Sequence, residues 1–145
     1  MQVQNKQTKF KYIPHTADIG LRISGTDNAA VFINAAIGMF SIIAKLKQPE
    51  PTTVEYQIKL NAANLEELLV AWLSELLTLS DIHNLFFTHF QINHLSASSI
   101  NARVQAVKIN SQNIEKKTEI KAVTYNELSI KQEKQRIIAK VFFDI

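Results

Sequence analysis

Between residues 28 and 45, apolar side chains recur at Val31, Phe32, Ala35, Ala36, Met39, Phe40 and Ile43. That 3.6-residue spacing predicts an amphipathic helix. Gly25-Thr26-Asp27 precedes it, and Thr26 or Asp27 supplies an oxygen to cap the free N–H groups of its first turn. Gly38 falls inside the pattern; glycine costs helix stability, so its presence marks a close approach to a neighbouring element. A second helix opens at Asn64, with Glu67 three residues later in a capping-box-like pair. Its apolar stripe (Leu65, Leu68, Leu69, Trp72, Leu73, Leu76, Leu77) is wide, which assigns Trp72 to the core rather than to a binding platform. Elsewhere the period is two. Strands are predicted at 9–13, 19–24 and 54–60, then at about 85–95, 100–109, 119–131 and 135–144, the last pair joined around Gln132-Glu133-Lys134. The order ββαβαββββ, with short turns between the later strands, predicts an α+β domain: a mainly antiparallel sheet covered by two helices.

Composition adds limits. A chain of 145 residues with 46% hydrophobic and 20% charged residues is one domain's worth of ordinary globular sequence. Its longest apolar runs, such as Leu68 to Leu73, are too short to span a bilayer, and the N-terminal stretch MQVQNKQTKFKYIP lacks the apolar segment of a secretory signal. The expected location is therefore the cytoplasm. With no cysteine, disulfides and thiolate metal sites are excluded, and any metal must be held by oxygen or imidazole.

The net charge of +3 raises the question of nucleic acid. Residues 1–22 carry Lys6, Lys9, Lys11 and Arg22 against Asp18, and residues 103–145 carry nine Lys or Arg against five acids. These cations are spread through strand-like sequence, with no Lys/Arg run and no aromatic-rich RNA-binding signature, as solvated strand faces would be.

No P-loop, dinucleotide fingerprint, nucleophile elbow or HExxH zinc motif occurs, and three glycines are few for a phosphate-cradling loop. The remaining polar groups divide into bland and unusual. His15 and Asp18, three apart in HTAD, read alone as an Asx-type turn before a strand. His83, His89 and His94 have no ligand-like spacing, and in one regular strand His89 and His94 would face opposite sides. Asp81, near the end of the second helix, reads as loop chemistry. Lys121, in EIKAVTY, is placed within a strand among apolar neighbours, where a paired or semi-buried ammonium is plausible; Asp144 follows the unusually apolar Val141-Phe142-Phe143.

HTADIG near the N-terminus, LEELLVAWLSELL in the middle, EIKAVTY in the penultimate strand and FDI at the end occur in an order that resembles the archease family, over roughly residues 9 to 145. The resemblance implies a small cytoplasmic protein that serves as cofactor to an RtcB-type RNA ligase in tRNA splicing and RNA repair. Such a ligase joins 3′-phosphate or 2′,3′-cyclic-phosphate ends to a 5′-hydroxyl through a guanylylated histidine. The family member promotes guanylylation and multiple turnover as a chaperone-like activator and is not itself an enzyme. It meets RNA indirectly, through the ligase; no membrane and no DNA partner is implied.

Carried over by motif, the family's functional acids fall on Asp18 and Asp144 and its functional lysine on Lys121, with the acids implied to hold a divalent cation, often calcium. Two carboxylates are few for such a cation, so waters, carbonyls, the Ile145 terminal carboxylate or partner groups must complete the shell. His15 is a candidate to orient Asp18 by a hydrogen bond. Two features depart from the family's pattern: Asn126 follows KAVTY where many members have His, and residues 96–118 lack a Gly-Glu pair.

Two other readings stand beside this one. A small metal-dependent phosphohydrolase using Asp18 and Asp144 would need a denser ligand cluster and a nucleophile or general base. An RNA-binding or general chaperone-like module would show RNA affinity that falls steeply with salt and is indifferent to Asp18.

Overall fold

The computed structural model describes residues 9–14, 18–48, 53–110 and 112–145. Its elements are β1 (Phe10–Pro14), β2 (Asp18–Gly25), α1 (Asn28–Ile43), β3 (Ala44–Leu46), β4 (Val54–Asn61), α2 (Leu65–His83), β5 (Leu85–Leu95), β6 (Ser99–Lys108), β7 (Ile114–Lys116), β8 (Ala122–Glu133) and β9 (Arg136–Asp144). The α+β expectation holds, and both helices and the longer strands fall close to where the periodicity puts them, except that β8 begins at Ala122 and not near 119. The predicted order lacks β3 and β7. These three-residue strands pair with each other and are too short to show alternation.

The remaining strands form two antiparallel sheets, one in the order β1-β2-β9-β8 and one in the order β4-β6-β5. The helices lie between them: α1 packs on β2 and β5, and α2 on β8 and β5. Each helix thus meets apolar surface on two sides, which accounts for the breadth of both stripes. Leu21, Ile23, Ala139, Val141 and Phe143 line the first sheet's inner face, and Ile58, Phe87, Ile100, Ala102 and Val104 that of the second. Trp72 is fully buried between the layers, and its Nε1–H donates to the Phe32 carbonyl at 2.9 Å.

Local signals set the helix ends. Asp27, not Thr26, caps α1, its Oδ1 accepting from the Ala30 N–H at 2.8 Å. Asn64 caps α2 by accepting from the Glu67 N–H at 2.9 Å. Asn84 ends α2 in the left-handed region (φ 57°), where a short polar residue is tolerated, and turns the chain into β5. A Cβ on Gly38 would lie 2.8 Å from Leu21 Cδ1 and 3.1 Å from the Phe10 ring, so the glycine does serve a close helix–sheet approach.

Candidate functional site

Antiparallel pairing brings the start of β2 against the end of β9. Asp18 stands directly opposite Asp144, and Asp144 is opposite Ala122 on its other side. Directly opposed residues of an antiparallel pair point to the same face, with Cβ atoms about 4.5–5.5 Å apart. Ile19, Leu21 and Ile23 turn inward with Val141 and Phe143, so both carboxylates belong to the outer face. Asp18 is half-buried, its Oδ1 shielded from solvent, while Asp144 is exposed.

Lys121 corrects the expectation. It lies one residue before β8 rather than within it, and its side chain is exposed, not semi-buried. The alternation breaks there because Ile120 dives into the core while Ala122 begins the pairing with β9. Its backbone N–H donates to the Asp144 carbonyl at 2.7 Å, closing the sheet corner that carries the acids. Ile145 follows directly, 36% exposed. His15 and the turn containing it lie outside the described residues.

The outer face is banded by cross-strand rows. Behind the acidic pair comes a row of Ile13, Gly20, Phe142 and Thr124. Phe142 lies so close over Gly20 that an added Cβ would sit 2.7 Å from its ring. The next row holds Lys11, Arg22, Lys140 and Ser129.

Like charges placed directly across a strand pair repel, so Asp18 and Asp144 together favour a cation between them. Their oxygens suit a hard ion such as calcium, which takes 6–8 oxygen ligands. The fit is partial: among the described residues no group of three or more His, Asp or Glu gathers around one point. Carbonyls, water or a partner must supply the rest. Beside this corner, Tyr12, Ile19, Ile42, Lys117 and Thr118 line a largely apolar hollow of about 290 Å³.

The other polar candidates lie elsewhere. Asp81 lies near the end of the second helix as expected, within the last turn of α2. Asp81 is exposed, and partial desolvation, then the charge of Glu119, push its carboxyl above the usual value of 3.8. His89 and His94 face the same side, not opposite ones: they oppose Gln105 and Asn101, because the register shift between Ile92 and His94 adds one residue to the odd step. Among the described residues no helix is long and apolar enough to cross a membrane.

A small α+β protein with paired helices between antiparallel sheets and an acidic corner at its terminal strands is the class so defined. The sequence profile of the archease protein family (MTH1598/TM1083) matches residues 10–145. The protein archease of Methanosarcina barkeri is 38% identical over 149 residues, covering 100% of both chains. That of Methanosarcina mazei is 37% identical, covering 94% of this chain and 96% of its own. Among solved structures, protein 1598 of Methanobacterium thermoautotrophicum superimposes with a TM-score of 0.75 at 28% identity, covering 94% of this chain and 99% of that one. An archease from Thermotoga maritima, described as a possible chaperone, shares the fold with a TM-score of 0.66 at 24% identity, covering 93% of this chain and 96% of that one. The chain belongs to the archease family.

Proposed function

We propose that this protein activates an RtcB-type RNA ligase in tRNA splicing and RNA repair, promoting guanylylation of the ligase and its multiple turnover without catalysing a reaction itself. The observation that carries the reading is the pairing of Asp18 with Asp144 at the corner closed by the Lys121 amide, in a chain of this family. A divalent cation, calcium by the family resemblance, neutralises the two acids when bound. In this reading Asp18, Asp144 and the Ile145 carboxylate supply the chain's share of the ligands, and the ligase completes the shell. Lys121, free to swing at the rim, pairs with the partner or its nucleotide, and the neighbouring apolar hollow gives the partner an anchor. The working place is the cytoplasm, where such a ligase meets its RNA.

Activation requires a cognate ligase in the same cell. In ligation reactions with limiting ligase, GTP and divalent metal, the intact protein is expected to convert single turnover to multiple turnover, and Asp18→Ala or Asp144→Ala to abolish the effect while still folding. Stimulation that survives both substitutions would remove the acidic corner from the mechanism.

A further inference from the structure

Lys11, Arg22 and Lys140 are far apart in sequence, yet the pairings Lys11 with Arg22 and Arg22 with Lys140 set them in one line across three adjacent strands. Neighbouring strands are about 4.8 Å apart, so three cations occupy roughly 10 Å of sheet. Like charges directly opposite one another destabilise a sheet, and a fold retains them at some cost. Arg136, whose guanidinium reaches Ser24 Oγ at 3.4 Å, and Lys131, opposite Ile138, extend the positive surface toward the β8–β9 turn. An open hollow there is lined by Glu133, Lys134, Gln135, Arg136 and Ile138.

Two carboxylates oppose them. Glu133 lies 3.8 Å from Arg22, and Glu127 lies 3.7 Å from Lys140, with all four side chains about half exposed. Contacts that long and that wet contribute little, and either cation can exchange its carboxylate for another anion. Among the described residues Lys11 has no such partner. The acidic corner sits four residues along β2 from this row, about 13 Å away, and leaves its field positive. Both helices pack on the opposite face of the sheet.

We infer that this face binds the phosphate backbone of single-stranded RNA. The cations are strung in a line on an open surface instead of converging on a pocket, which suits an extended polyanion better than one phosphate. Between Thr124 and Ser129, which oppose Phe142 and Lys140, β8 bulges, and Tyr125 on that bulge is 64% exposed. An exposed aromatic on the strand next to a cationic track offers a face on which an unpaired base can stack. The opposite sheet's outer face is different: Lys59 and Arg103 stand among Gln57, Gln91, Gln105 and Asn101, and Arg103 is already paired with Glu55 at 2.9 Å. The inference does not depend on ligase activation, because it concerns this chain alone.

Fluorescence anisotropy with labelled oligouridine and the full chain, without ligase, tests it. Three phosphate contacts predict a log–log salt slope near −2, so affinity should fall about 20-fold between about 50 and 200 mM salt. Arg22→Gln should lower the slope by about 0.7, and the Lys11→Gln/Arg22→Gln/Lys140→Gln variant should lose the salt-dependent binding. Tyr125→Ala should weaken binding about fivefold or more with the slope unchanged. The matched control, Lys59→Gln/Arg103→Gln, should bind as the parent does. Loss of like-charge repulsion should leave the triple variant at least as heat-stable as the parent, which separates lost binding from lost folding. Unaltered binding by the triple variant, equal loss in the control, or binding to phosphatidylserine vesicles in place of RNA would each overturn the inference.

Discussion

Substitution Asp144→Asn removes one of two carboxylates carried by directly opposed residues of β2 and β9. With Asp18 directly opposite and Cβ atoms about 5 Å apart, the Coulomb repulsion is about 0.8 kcal/mol in bulk water and about 3 kcal/mol at an effective dielectric constant of 20. Asp144 is exposed and Asp18 only half-buried, so the lower end applies, about 1 kcal/mol. In a chelator, Asp144→Asn should therefore stabilise the protein, raising Tm by about 3–4 °C for a chain of this length. In excess calcium the order should invert. An ion at 100 times its Kd stabilises the parent by about 2.7 kcal/mol, and the variant loses a ligand and most of that gain. Thermal unfolding followed by circular dichroism, with and without calcium, reads both effects. A double-mutant cycle with Asp18→Asn isolates the pair from each aspartate's other contacts. Zero coupling in chelator, or a parent whose Tm ignores calcium, would refute the facing-carboxylate reading.

Other outcomes follow from the fold. Asn64→Ala, which removes the bond to the Glu67 N–H, should cost about 1 kcal/mol in denaturant titration, and Asn64→Asp should restore it. Gly20→Ala forces a methyl to within 2.7 Å of the Phe142 ring and should destabilise by about 1–3 kcal/mol, as overpacking does. Asp81, though exposed, has its carboxyl raised by partial desolvation and by Glu119, so the folded state binds a proton more readily than the unfolded one. Stability from this group is present below pH 3.8 and is lost as pH rises through the raised value. Asp81→Asn should accordingly raise Tm at neutral pH, with the gain shrinking to nothing in acid.

The sequence carried the fold class through two periods, 3.6 in the helices and two in the strands, and through caps as local as Asp27 and Asn64. Long-range register left no such mark. Nothing local announces that β2 pairs with β9, so the meeting of Asp18 with Asp144 was reached through motif resemblance and not through spacing. The same register aligns Lys11, Arg22 and Lys140, cations that look scattered in sequence; strand parity could have found them once the pairing was known. Irregularities were equally hidden. The bulge that carries Tyr125 and sets Glu127 (φ 53°) against Lys140, and the shift between Ile92 and His94 that brings His89 and His94 to one side, each depend on unpaired residues that alternation does not reveal. EIKAVTY reads as one continuous strand from about 119, whereas β8 begins only at Ala122 because Ile120 is drawn into the core, and Lys121 is left outside it.

Turnover by the cognate RtcB-type ligase tests the central claim most directly, measured at limiting ligase with GTP and divalent metal, with and without this protein. The account predicts several ligations per ligase with the intact protein and about one without it or with Asp18→Ala/Asp144→Ala. Equal turnover with and without the intact protein would contradict it.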